Sequence, residues 1–150
     1  MELASCEFCD VVAGRRDGDA VFVRNMAAVG FVGAFRHPGH RAHLLVVASE
    51  HVADLHGLSA RNAGPMLEAV TVASGALQAT MGATGTTVVQ HNGPPGQEVF
   101  HLHFHVVPRY EGDGGITSGW EPVDEGERSA LGARLRSLVG GRSASDRPTP

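Results

Sequence analysis

The segment His101-Leu102-His103-Phe104-His105-Val106-Val107 constrains this chain more than any other. Imidazoles alternate with large apolar side chains, and a period of two is the period of a β-strand, whose successive side chains point to opposite faces. One face then carries His101, His103 and His105, and the other turns Leu102, Phe104 and Val106 toward a core. Neighbouring positions on one face lie roughly 6–7 Å apart, two strand rises. At that spacing one imidazole can attack a substrate while another donates a proton or orients the first. Pro108-Arg109-Tyr110 is expected to end the strand, because proline cannot extend a ladder.

Just upstream, Gln90-His91-Asn92-Gly93-Pro94-Pro95-Gly96-Gln97 reads as a loop rich in glycine and amides. Its backbone N–H groups and the amides of Asn92 and Gln97 suit an anionic oxygen such as that of a phosphate. Neutral imidazole attacks phosphorus well and leaves as readily, so it can split one displacement into two. Two other readings of the histidine row stay open on residues alone. Alternate histidines can share a metal ion, with Glu98 as a further ligand, or the strand can simply be rich in histidine.

The rest of the chain reads as one domain with a core. Of its 150 residues 42% are hydrophobic and 19% charged, which is ordinary for a globular protein. The net charge is −4 and no basic cluster interleaves with aromatics, so polymeric nucleic acid is not expected as a partner. No apolar run approaches the roughly 20 residues of a membrane span, and 1–5 lack the regions of a signal peptide. The expected location is cytoplasmic. There Cys6 and Cys9, the only cysteines, stay reduced, and their spacing offers half of a tetrahedral zinc site or a pair of buried thiols. Patterning predicts a short helix over 7–13 and strands over 21–23, 29–32, 43–47 and 86–89. A long helix is expected from a Ser59 cap to about Met81, with Pro65 starting or kinking it. An amphipathic segment follows over 121–139. The expected division is 1–115 as the main domain, 116–140 as a helical extension and 141–150 as a disordered tail.

The triad, with Asn92-Gly93 and Gly96-Gln97 before it and Pro108-Arg109-Tyr110 after it, resembles the histidine triad (HIT) superfamily of nucleotide hydrolases and transferases. Cys6-Glu7-Phe8-Cys9 is similar to the Hint-like bacterial branch, and the resemblance runs from about Cys6 to Gly112. It implies an α+β, HIT-like fold: a five-stranded antiparallel sheet with one long helix and a short N-terminal helix, assembled as a homodimer. It implies that His103 attacks the α-phosphorus, that His105 and His43 contact the phosphate and help the leaving group depart, and that Asn92, Gly96 and Gln97 contact the nucleotide. It further implies a structural zinc on Cys6, Cys9, His51 and His101. The expected partner is a small nucleotide conjugate such as a phosphoramidate or acyl-nucleotide, cleaved through a nucleotidyl-histidine. Transferases of the superfamily often carry glutamine two positions after the third histidine, and here that position is Val107. The alternatives are such a transferase or a nucleotide- or metal-binding protein without turnover.

Two departures from the family pattern stand out. The stretch Gly30-Phe31-Val32-Gly33-Ala34-Phe35 holds no carboxylate, where family members usually bind the ribose hydroxyls. Weak dependence on the sugar hydroxyls is therefore expected, ribo and 2′-deoxy substrates differing in kcat/KM by less than about tenfold. Glu98 stands where a serine often touches the phosphate, and a carboxylate there is repulsive. His37, His40, His56 and His91 carry no clear signal, and the spacing to Leu44-Leu45-Val46-Val47 favours His43 over His40 as the active-site match.

Overall fold

Five strands of the computed structural model, which describes residues 5–116 and 118–141, form one antiparallel sheet. In chain order the elements are α1 (Glu7–Val12), β1 (Val21–Arg24), β2 (Ala28–Val32), β3 (Phe35–Arg36), β4 (Leu44–Ala48), α2 (Ala60–Met81), β5 (Gly85–Gln90), β6 (His103–Arg109), β7 (Glu121–Pro122) and α3 (Glu125–Gly140). The sheet order is β1-β2-β4-β6-β5. Every position of β2 and β4 is buried. Unbroken apolar runs such as Leu44-Leu45-Val46-Val47 suit strands covered on both faces.

One face of the sheet receives α2, whose Met66, Ala69, Val70, Ala73, Ala76 and Leu77 recur at helical spacing and are buried. Pro65 lies inside this helix without ending it. It removes one ladder donor near the start, and the Asn25 side-chain amide donates to its carbonyl at 2.7 Å. Asn25 also builds the β1–β2 turn, its Oδ1 accepting from the N–H groups of Ala27 and Ala28 at 2.9 and 3.0 Å.

On the opposite face the register puts Val89, His105 and Leu45 in one row, with Leu45 paired in turn to Phe31. Two expectations for the triad strand change here. The strand begins at His103, so His101 precedes it, and it continues through Pro108 to Arg109. Proline is tolerated because the ladder to β4 ends at Leu44↔Val106, leaving β6 with a neighbour on one side only at Pro108.

The C-terminal helix shares the core. Leu131 and Leu135 of α3 are buried in the same cluster as the sheet residues. Its approach is close: a Cβ on Gly132 would lie 2.5 Å from the Asp19 carbonyl oxygen. The two-residue strands β3 and β7 pair with each other, a feature too short to leave a periodic signal in the sequence. Arg36 holds them together, donating to Glu121 at 3.0 Å and to Glu127 at 2.7 Å. The expected tail lies outside the described residues from 142 onward. Among the described residues no helix is long and apolar enough to cross a membrane.

Candidate active site

The sheet face opposite α2 forms the floor of a cavity of about 630 Å³. His103, His105 and Val107 of β6 and Leu45 of β4 line it, with Phe8 and Val11 of α1, His43, His91, Gly96 and Trp120 around them. Alternation along β6 is what delivers two of the three triad imidazoles to one enclosed space.

Hydrogen bonds fix which nitrogen of each ring is available. The carbonyl of His101 lies 2.7 Å from His103 Nδ1, so that nitrogen donates and Nε2 keeps its lone pair. The carbonyl of Phe35 lies 3.0 Å from His43 Nδ1 and likewise takes its proton. His43 Nε2 is then the acceptor for His105 Nδ1 at 2.8 Å. This leaves the Nε2 lone pair of His105 free to take a proton from the cavity. The His43 and His105 rings stack at 5.0 Å, and the His103 ring meets the His105 ring edge-on at 4.9 Å.

Burial disfavours the charged form of all three rings. It pushes His43 down to about 4 and, with His43 beside it, His105 down to about 3. His103 is lowered too, again chiefly by burial. All three are therefore neutral at neutral pH. The ring resonances of His43 and His105 should hold their neutral positions from pH 8 down to about 5.5, where an ordinary histidine is mostly protonated. Titration of either near pH 6.5 in an NMR pH series would contradict the buried, proton-sharing pair.

His101 plays a different part. It is fully buried and does not line the cavity. Its Nε2–H donates to the Ala48 carbonyl at 2.6 Å, which turns the Nδ1 lone pair toward Cys6 Sγ at 3.4 Å and Cys9 Sγ at 3.6 Å. His51 Nδ1 lies 3.2 Å from Cys9 Sγ, and the four ligand atoms all fall within 4.8 Å of one another. Ligands bonded at about 2.1 Å (nitrogen) and 2.3 Å (sulfur) in a tetrahedron stand roughly 3.3–3.8 Å apart, so these residues fit a metal ion. The Ala48 carbonyl is the outer partner that such a histidine ligand usually has. Burial and the neighbouring Cys6 push the Cys9 thiol up, a tendency that a bound cation would reverse.

The loop before the triad is divided in its roles. Gly96 lines the cavity, and a Cβ there would fall 2.6 Å from His91 Nδ1, so glycine lets that imidazole close on the loop. Gln97 is buried and ties the loop down. Its Oε1 accepts from the Gly93 N–H at 2.8 Å, and its Nε2 donates to the carbonyls of Ala53 and Val99 at 2.6 and 3.0 Å. Asn92 is exposed and is not in the cavity lining, its Oδ1 accepting from the Leu55 N–H at 3.0 Å and from Gln90 Nε2 at 2.9 Å. Glu98 lines the cavity but is exposed.

Several lining residues were not singled out from sequence. His37, read as a turn residue, stacks on Trp120 at 4.0 Å, and Trp120 lies 4.9 Å from the His43 ring. Phe8, between the two cysteines, meets the His103 ring edge-on at 5.0 Å. Asp17 and Arg128 come from a turn and from α3, more than a hundred positions apart, and both line the cavity. Only Trp120, the sole tryptophan, carried any compositional hint. His40 is buried away from the cavity lining, 3.6 Å from Asp113 Oδ2, so it is His43 that meets His105.

The comparisons with known proteins agree with this arrangement. The family model described as the HIT domain matches residues 19–112. An adenosine 5′-monophosphoramidase of Schizosaccharomyces pombe is 31% identical over 140 residues, covering 90% of this chain and 98% of that one. A second, from Saccharomyces cerevisiae, is 26% identical over 144 residues, covering 95% and 86%. Among solved structures, a Zn-bound histidine triad family protein from Mycobacterium smegmatis superposes with a TM-score of 0.74 at 27% identity, covering 92% of this chain and 98% of that one. The chain belongs to the histidine triad family.

Proposed function

We propose that this protein is a nucleotide hydrolase that cleaves nucleoside phosphoramidates or related nucleotide conjugates at the α-phosphate. The observation that carries the reading is the tautomer set by the His101 carbonyl, which leaves a neutral His103 with its Nε2 lone pair as nucleophile. His103 attacks the α-phosphorus, and the P–N or P–O bond to the leaving group breaks. The leaving group draws its proton from solvent through the Nε2 lone pair of His105, which is neutral at rest and passes the proton on at once because burial resists its charge. Returned to neutrality, His105 takes a proton from the water that releases the nucleoside monophosphate from His103. His43 spreads the transient charge through its shared hydrogen bond. Gly96, which lines the cavity, is the part of the loop assigned to the phosphate, with Gln97 holding that loop in place and Asn92 bracing it from outside the lining. The apolar faces of Phe8, Val11 and Phe31 suit a flat base.

The similarity to two monophosphoramidases supports this class of substrate. Zinc is the metal proposed for Cys6, Cys9, His51 and His101. Four protein ligands leave no open position, so the ion would pin the N-terminus to the segment before β6 rather than act on substrate. A homodimer and a cytoplasmic location complete the proposal. The test is incubation of the purified protein with adenosine 5′-phosphoramidate. Release of adenosine monophosphate at a rate that follows protein concentration is expected, whereas binding without release would support the binding-protein alternative.

A further inference from the structure

The cavity is apolar around Phe8, Val11 and Phe31, yet one part of its wall carries charge. Arg128 and Asp17 both line it, and their side chains are only 7% and 16% exposed. Arg128 Nη1 donates to Asp17 Oδ1 at 3.0 Å, and Nε and Nη2 donate to the Val32 carbonyl at 3.3 and 2.9 Å. Beyond these three bonds the guanidinium has N–H donors left. Asp17 adopts a left-handed backbone conformation, φ 53°, and precedes a short turn, Gly18–Ala20, without capping it through its side chain. Its carboxylate is therefore committed to Arg128 and the cavity, with Arg16 Nε 3.5 Å from the second oxygen.

A buried ion pair is a weak source of stability, since desolvation offsets most of the attraction. An apolar pair would join α3 to the turn as well. The charged pair gains a purpose if the cavity holds something with hydroxyl groups. Its position fits one. Val32, the anchor of Arg128, is followed by Gly33, whose N–H donates to the His43 carbonyl at 2.8 Å, and a Cβ on Gly33 would crowd His43 Nδ1 at 3.0 Å. A side chain there would require His43 and the Phe35 carbonyl to shift. Arg128 is thus bound to the strand end next to the backbone that carries His43, and with Asp17 it shares one cavity with His43, His103 and His105.

We infer that Asp17, held by Arg128, accepts the sugar hydroxyls of the substrate and gives this cavity its selectivity for ribonucleotides. This rests on the nucleotide reading above and stands against the expectation of weak sugar dependence drawn from the missing carboxylate in 30–35. A carboxylate that loses its hydroxyl partner in a water-poor site is left unpaired, which is how such a site rejects the deoxy analogue.

The test is calorimetric binding of adenosine monophosphate and of 2′,3′-dideoxyadenosine monophosphate to the full chain and to Asp17→Asn. The wild type should prefer the ribonucleotide by about tenfold or more, and Asp17→Asn should bring the ratio close to one. The ratio within one protein does not depend on how much of it is folded, so a destabilised variant still answers. A wild type that fails to discriminate, or that binds neither nucleotide, overturns the inference, as does a ratio that Asp17→Asn leaves unchanged. Because binding is read, absence of hydrolysis would count against the hydrolase reading alone.

Discussion

Replacing His103 with alanine should abolish turnover of a nucleoside phosphoramidate, by about 10⁴-fold or more in kcat, while the chain still folds. A nucleophile cannot be substituted by its neighbours, and triad members that act as a unit lose nearly all activity singly. His105 is no replacement, because its Nδ1 is tied to His43 and its free nitrogen serves proton transfer. The variant loses the edge contact with Phe8 and the bond to the His101 carbonyl, a modest packing loss in a ring lining a cavity. Mass spectrometry of the wild type quenched during turnover should show an acid-labile nucleotidyl adduct on His103. A His103→Ala protein with near-normal kcat would refute the assignment.

Removing the metal should cost the fold more than the chemistry. Protein prepared under reducing conditions without added metal is expected to contain about one zinc per chain. Cys9→Ser, or a strong chelator, should lower Tm by about 10 °C, the size expected for about 3–4 kcal/mol in a domain of this length. The effect follows from what the four residues join: Cys6 and Cys9 flank and enter α1, His51 follows β4, and His101 leads into β6. Their loss frees the helix that brings Phe8 to His103, so kcat/KM should fall less steeply than stability. Metal-free protein with an unchanged melting curve would rule out the structural role.

Much of the site was legible in the sequence because it is local or follows simple periods. Alternation along 101–107 placed His103 and His105 on one strand face and Leu102 and Val106 in the core, both fully buried. The unbroken apolar run 44–47 announced a central strand, and the spacing of Met66, Val70, Ala73 and Leu77 announced the covering helix. The cysteine pair with His51 and His101 was named through the family resemblance, and the fold brings those four ligand atoms together.

Tertiary structure alone decided the rest, for physical reasons. Which ring nitrogen of His103 attacks depends on a carbonyl two residues away turning inward, and no residue type encodes that. His101 stands before the strand with its ring turned to the cysteines, and Pro108 is accommodated in it because the β4 ladder has already ended at Val106. Gln97 shapes its loop through three backbone groups that only the fold gathers. Most of all, the charged wall of Asp17 and Arg128 joins a turn to a C-terminal helix across 111 positions. A pattern of two or of three to four residues reports which face is apolar; it cannot report which distant side chains meet across a cavity.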